Sequence, residues 1–178
     1  MLDHSKVAIF WDYENCSPSS NAPGLGYDIV NNLGRMARVF GCVSTFKAYL
    51  DISAQSPKSV PLRSELQSSG VSMIDCPHNG KKEVVDKMIL VDLLAFAVDN
   101  PPPATVILIT GDRDYAYAMA TLRLRKYKVV LIVPQSPHVH VCLESQASVL
   151  IDWTSNFMMT QIRRFAPPSL ALARSNAK

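Results

Sequence analysis

Short, uninterrupted apolar runs alternate with stretches of helical spacing along this chain, and that alternation limits its folds more than any other feature. Val7–Trp11, Thr105–Ile109 and Val129–Val133 are runs of this kind, rich in β-branched and aliphatic residues. A strand with no polar face has to be buried on both sides. Behind the first run, Ile29, Val30, Leu33, Met36, Ala37 and Phe40 recur at helical spacing, with Asp28 as the expected N-cap and Gly41 as the stop. Cys42–Leu50 alternates and reads as a second strand, Val60–Ser69 as a short helix, and Val71–Ile74 as a third strand. The longest helical segment, Lys81–Asn100, follows Asn79 and Gly80 and is stopped by Pro101-Pro102-Pro103. Thr105–Ile109 is then the fourth strand, Tyr115–Lys126 a helix, Val129–Val133 the fifth strand and Val149–Ile151 the sixth. Such alternation predicts an α/β fold: a central, mostly parallel sheet with helices on both faces, three layers in all.

Composition narrows the class. With 178 residues, 48% of them hydrophobic and 19% charged, the chain matches one soluble globular domain and not a disordered, collagen-like or coiled-coil sequence. Its longest apolar stretch, Met88–Val98, is broken by Asp92 and falls short of the roughly 20 residues that span a bilayer. The first residues show no signal-peptide pattern, so an intracellular place, cytoplasmic or nuclear, is expected and a membrane partner is not. Residues 1–153 carry 14 Lys/Arg against all 15 acids, whereas residues 154–178 carry four cations and no acid. The expected division is a domain over 1–155 and a basic tail or linker over 156–178. That tail suits either a polyanionic partner or plain solvation. Cys16, Cys42, Cys76 and Cys142 are too scattered for a zinc site, and reduced structural thiols are expected. His138 and His140 read as a surface pair on a Pro-rich loop.

Chemistry concentrates where two strands end. Trp11-Asp12-Tyr13-Glu14-Asn15 closes the first strand, and Thr110-Gly111-Asp112-Arg113-Asp114-Tyr115 closes the fourth. In open parallel sheets ligands bind beyond these carboxyl ends. A carboxylate just outside a buried strand is partly desolvated, and several together are tolerated chiefly when a cation neutralises them. Helix capping by Asp112 or Asp114 is the structural alternative. A third acid, Asp86, opens the long helix among apolar neighbours, while Asp92, six residues on, points roughly 120° away and reads either as a support behind the site's ligands or as an internal hydrogen-bond partner. Asp12, Asp86 and Asp112 would make an oxygen-only site, which suits Mg2+ or Mn2+ rather than zinc. Lys81, Lys82, Lys87 and Arg113 lie beside these acids in sequence and read either as phosphate contacts or as ordinary surface charge. Trp11, Tyr13 and Tyr115 read either as stacking platforms for unpaired bases or as core.

Taken in order, Asp12-x-Glu14-Asn15, Lys81-Lys82-Glu83-x-x-Asp86-Lys87 and Thr110-Gly111-Asp112-Arg113-Asp114-Tyr115 resemble the NYN domain of the PIN-like nucleases, in particular that of the meiosis regulator and mRNA stability factor family. The resemblance runs from about residue 6 to 153. It implies a PIN-like three-layer sandwich and a metal-dependent ribonuclease, an endonuclease acting on single-stranded RNA, whose acidic cluster binds magnesium or manganese and activates water. Carried over by motif position, Asp12, Asp86 and Asp112 are the metal ligands, and Asp114 matches the family's second acidic or amide position, with a catalytic part in holding a second metal or positioning water. Asn15 holds the Asp12 loop or touches substrate, Thr110 orients Asp112 or phosphate, and Lys82, Lys87 and Arg113 complete the substrate-binding set. PIN enzymes often add a glutamate from an early helix; here Glu65 is the acid in that region, with Glu14 as a substitute. Further domains of a longer parent protein and a second copy of the chain are the candidate partners besides RNA; Val39–Val43 and Leu143–Ile151 are the segments for such a contact, although core is the stronger reading of both.

Two other classes compete. A PIN-like module that docks RNA or protein but cleaves poorly would carry the same fold. A haloacid-dehalogenase phosphatase needs a second Asp two residues after the first, where this chain has Glu14. Dinucleotide binding lacks its G-x-G-x-x-G after the first strand.

Overall fold

Strand β1 (Lys6–Asp12) is the third of seven strands in the sheet and alternates its side chains between two cores. The computed structural model describes residues 5–19, 21–77, 80–81, 83–134, 141–153 and 162–163. After β1 come helix α1 (Leu25–Ala37), β2 (Cys42–Leu50), α2 (Val60–Ser68), β3 (Ser72–Asp75), α3 (Glu83–Asp99), β4 (Ala104–Ile109), α4 (Ala116–Leu124), β5 (Lys128–Pro134), α5 (Val141–Glu144), β6 (Val149–Trp153) and β7 (Ile162–Arg163). The sheet order is β3-β2-β1-β4-β5-β6-β7, with the first six strands parallel and β7 antiparallel against β6. The expected α/β architecture is therefore present.

The period of two along β1 divides the molecule into layers. Val7, Ile9 and Trp11 face Ile29 and Leu33 of α1 and Leu62 and Leu66 of α2. Ala8 and Phe10 face Val85, Ile89, Leu93 and Phe96 of α3 and Met119 of α4. Both faces of the strand are thus buried, which is why its sequence carries no polar alternation.

From β1 the chain moves outward through β2 to β3, and α3 then returns it to β4 on the other flank of β1. The β1/β4 boundary is where the direction of winding reverses, the position at which ligands bind in open α/β sheets. The register pairs Phe10 with Leu108 and Trp11 with Ile109. The next residues, Asp12 and Thr110, therefore emerge side by side.

Several boundaries differ from the sequence expectation. Helix α1 starts at Leu25, and Asp28 lies inside its first turn instead of capping it. The cap is tertiary: Glu65 of α2 accepts the backbone N–H groups of Gly24 (2.9 Å) and Gly26 (2.8 Å). Gly26 leaves room for this, since a Cβ there would sit 2.6 Å from the Glu65 Cβ. Glu65→Ala removes two charge-assisted bonds and is expected to cost about 2 kcal/mol, lowering the melting temperature by roughly 4–8 °C in a thermal melt. The helix expected from Tyr115 begins instead with a 3-10 turn, Arg113–Tyr115. Leu143, Leu150 and Ile151 are buried in the two cores, as the favoured core reading of the Leu143–Ile151 segment expects. Of the expected tail, Ile162–Arg163 pairs with β6. His138 and His140 lie outside the described residues, and among the described residues no helix is long and apolar enough to cross a membrane.

Candidate active site

Two hydrogen bonds across the β1/β4 boundary join the two acidic motifs, and one more within each motif braces them. The Thr110 hydroxyl donates to Asp12 Oδ2 at 2.9 Å and accepts the Asp112 backbone N–H at 3.1 Å. Asn15 Oδ1 accepts the Gly111 N–H at 3.0 Å, while its own N–H donates to Asp12 Oδ1 at 3.3 Å. Trp11 anchors the loop from inside, its indole N–H donating to the Cys16 carbonyl at 3.0 Å. Asp112 accepts the Asp114 N–H at 2.9 Å and so caps the Arg113–Tyr115 turn. Capping and placement at the strand end are one arrangement here, not alternatives.

Asp86 reaches the same place from the first turn of α3. Its Oδ1 accepts the Tyr115 hydroxyl at 2.8 Å. Burial pushes the Asp12 carboxyl up to about 6, against the lowering effect of its bonds from Thr110 and Asn15, and the charges of Asp86 and Asp112 add to the rise. Asp86 is raised for the same first reason, burial, with Asp112, Asp114 and Glu83 as like charges and the Tyr115 bond opposing them. Asp12, Asp86, Asp112 and Asp114 are therefore one electrostatically coupled cluster. Among the described residues, no three His, Cys, Asp or Glu side chains are drawn together into a ready-made metal cage. The donors are nevertheless all carboxylate oxygens, and a hard cation that keeps several of its own waters needs few protein ligands. The residues present fit such an ion.

The other expected participants separate by position. Asp12 is 4% exposed and Thr110 fully buried, so Thr110 positions two acids and touches no phosphate itself. Asp114 and Arg113 are exposed, with Arg113 Nε 3.9 Å from Asp114 Oδ1. Lys87 is exposed and 3.4 Å from Glu83. Lys82 lies outside the described residues. Neither candidate for the extra glutamate is free for the cluster: Glu65 caps α1, and Glu14 accepts the Asp51 N–H at 2.8 Å. Asp92 faces β2, where Lys47 (2.8 Å) and Tyr49 (2.6 Å) outweigh the raising effect of burial and hold its carboxyl below the usual range. Of the two readings open to Asp92, the internal hydrogen-bond partner is the one the structure shows.

Trp11, Tyr13 and Tyr115 are 0%, 3% and 1% exposed, so of their two readings the core one holds and base stacking does not. Trp11 packs against Tyr13 and Trp153. What reading along the chain missed is the bond from Tyr115 to Asp86. The available signal was a tyrosine at a buried helix start, whose hydroxyl has to find an acceptor. Burial pushes the thiols of Cys16 and Cys76 up to about 12 and about 11, as expected of structural cysteines.

Comparison with known proteins places this geometry. The chain is 27% identical over 127 residues to the meiosis regulator and mRNA stability factor 1 of Xenopus tropicalis, a match that takes in 71% of this chain and 7% of that much longer protein. A solved structure of a Vibrio parahaemolyticus protein of unknown function shares the fold, with a TM-score of 0.63 at 21% identity over 85% of this chain and 95% of its own. The model of the NYN domain matches residues 6–156, which hold every acid of the cluster. The chain belongs to the NYN domain family of the PIN-like nucleases.

Proposed function

We propose that this domain is a divalent-metal-dependent ribonuclease that hydrolyses phosphodiester bonds within single-stranded RNA. The observation that carries the reading is the coupled cluster at the switch point: a buried Asp12, fixed by Thr110, beside Asp112 and Asp86. Burying mutually repelling carboxylates costs stability unless a cation offsets them. Asp12, Asp86 and Asp112 would hold Mg2+ or Mn2+, with Asp114 at the solvent side as a fourth acid. When bound, the ion supplies charge stabilisation at the phosphoryl group and activation of water. Thr110 and Asn15 keep the two strand-end loops in register, and the exposed Lys87 and Arg113 are placed to meet the phosphate backbone beside the acids. The nuclease unit is residues 1–155, and 156–178 form a basic tail whose Ile162–Arg163 adds an edge strand.

Labelled linear and circular single-stranded RNAs test the proposal, each incubated with the purified domain in manganese, in magnesium and in chelator. Cleavage of both RNAs with either metal and of neither with chelator is expected. Absence of cleavage in both metals, or equal cleavage in chelator, would sink the enzyme reading. Tight RNA binding without divalent ions would then identify a docking module.

A further inference from the structure

We propose that Tyr115 is the positioning residue that aims Asp86 at the acid cluster, an inference resting on the nuclease reading above. Three of the four acids leave the β1 and β4 loops, which Thr110 and Asn15 already tie together. Asp86 comes from a separate element, reached only after the chain has travelled out to β3. Its hydrogen bond to Tyr115, at 2.8 Å, joins the α3 carboxylate to the strand-four motif.

The tyrosine is built to hold that bond. Its ring is 1% exposed and belongs to the same core as Val85 and Ile89 of α3 and Met119 of α4. A buried phenol left without an acceptor is costly, so the Tyr115 hydroxyl and the Asp86 carboxylate hold each other in place. Tyr115 also ends the turn that Asp112 caps. One local structure therefore sets Asp112 directly and Asp86 through the hydroxyl three residues later. Groups that orient a metal-binding carboxylate in this way typically govern affinity for the ion by about 10- to 100-fold.

Tyr115→Phe keeps the buried ring and removes only the hydroxyl. Titration of the metal-free domain with Mn2+, followed by calorimetry, is expected to show about tenfold weaker binding than wild type. RNA cleavage should lose kcat at fixed metal and recover as manganese is raised, with KM for RNA unchanged. In an Asp86→Ala background the same substitution should weaken Mn2+ binding no further, because the hydroxyl acts through Asp86. Equal Mn2+ binding by wild type and Tyr115→Phe, or a loss that adds to that of Asp86→Ala, overturns the inference and leaves the nuclease reading standing. A wild-type domain that binds no Mn2+ overturns both.

Discussion

Asp12→Asn is expected to abolish RNA cleavage and, at the same time, to make the metal-free domain more stable at neutral pH. The loss follows from taking away the buried carboxylate around which the cluster is arranged. Withdrawing a charge that holds a catalytic cation costs several kcal/mol of transition-state stabilisation, so a drop of roughly a thousandfold is expected. The gain has a separate cause. Burial raises the Asp12 carboxyl from its ordinary 3.8 to about 6, so the folded state holds this proton more tightly than the unfolded chain does. Between those two values the native protein carries more protons, and raising the pH therefore lowers its stability. Below about 4 no penalty applies; above about 6 it is fully developed. The full penalty is on the order of 3 kcal/mol, and asparagine, which never ionises, avoids it at the expense of a rearranged bond from Thr110. Thermal melts in chelator check this. Wild type should lose several degrees on going from acid to neutral pH, and Asp12→Asn should remain flatter and melt higher when neutral. A variant that melts lower than wild type at neutral pH would show that the carboxylate is better satisfied than its surroundings indicate.

Thr110→Val is expected to be the most damaging change that removes no acid. Valine fills nearly the same buried space but neither donates to Asp12 nor accepts from Asp112, so one bond across the β1/β4 boundary and the local bond that holds Asp112 vanish together. The structural cost is about 1–3 kcal/mol. Freed from its anchor, Asp12 should lose alignment, with cleavage down by roughly a hundredfold, as for other groups that orient a metal-binding side chain. The pH profile carries the diagnostic. The Thr110 bond holds the Asp12 carboxyl down against burial, and without it the group ionises higher than about 6. Cleavage by Thr110→Val should therefore fall further in mildly acidic buffer than in alkaline buffer, relative to wild type. A uniform loss across pH would mean that the hydroxyl serves packing alone.

Much of this protein could be read from its residues in order. Val7–Trp11, Thr105–Ile109 and Val129–Val133 announce doubly buried strands because each side of the sheet is covered, and a strand with two apolar faces can satisfy that in few other folds. Cys42–Leu50 was legible to its ends for a related reason: it alternates, and its neighbours are a glycine and an acid. Helix starts were less legible. Asp28 looks like a cap by composition, yet α1 is capped by Glu65, 39 residues beyond Gly26, and no local signal records such a partner. The same holds within the site. Asp12, Asp86 and Asp112 stand out as acids in apolar surroundings, while the fate of Glu14 and Glu65, each used by a backbone N–H of another segment, does not.

The chain on its own determined the layered α/β architecture, the acids at two strand ends and that Asp92 points away from Asp86, because each depends on periodicity or on the cost of burying charge. Tertiary structure alone decided that β1 and β4 are neighbours in register, that the Thr110 hydroxyl bridges both motifs, and that Tyr115 is buried against Asp86 instead of facing a base. These depend on which elements meet across roughly a hundred residues of sequence, and a hydrogen bond of 2.9 Å between residues 98 apart leaves no local trace.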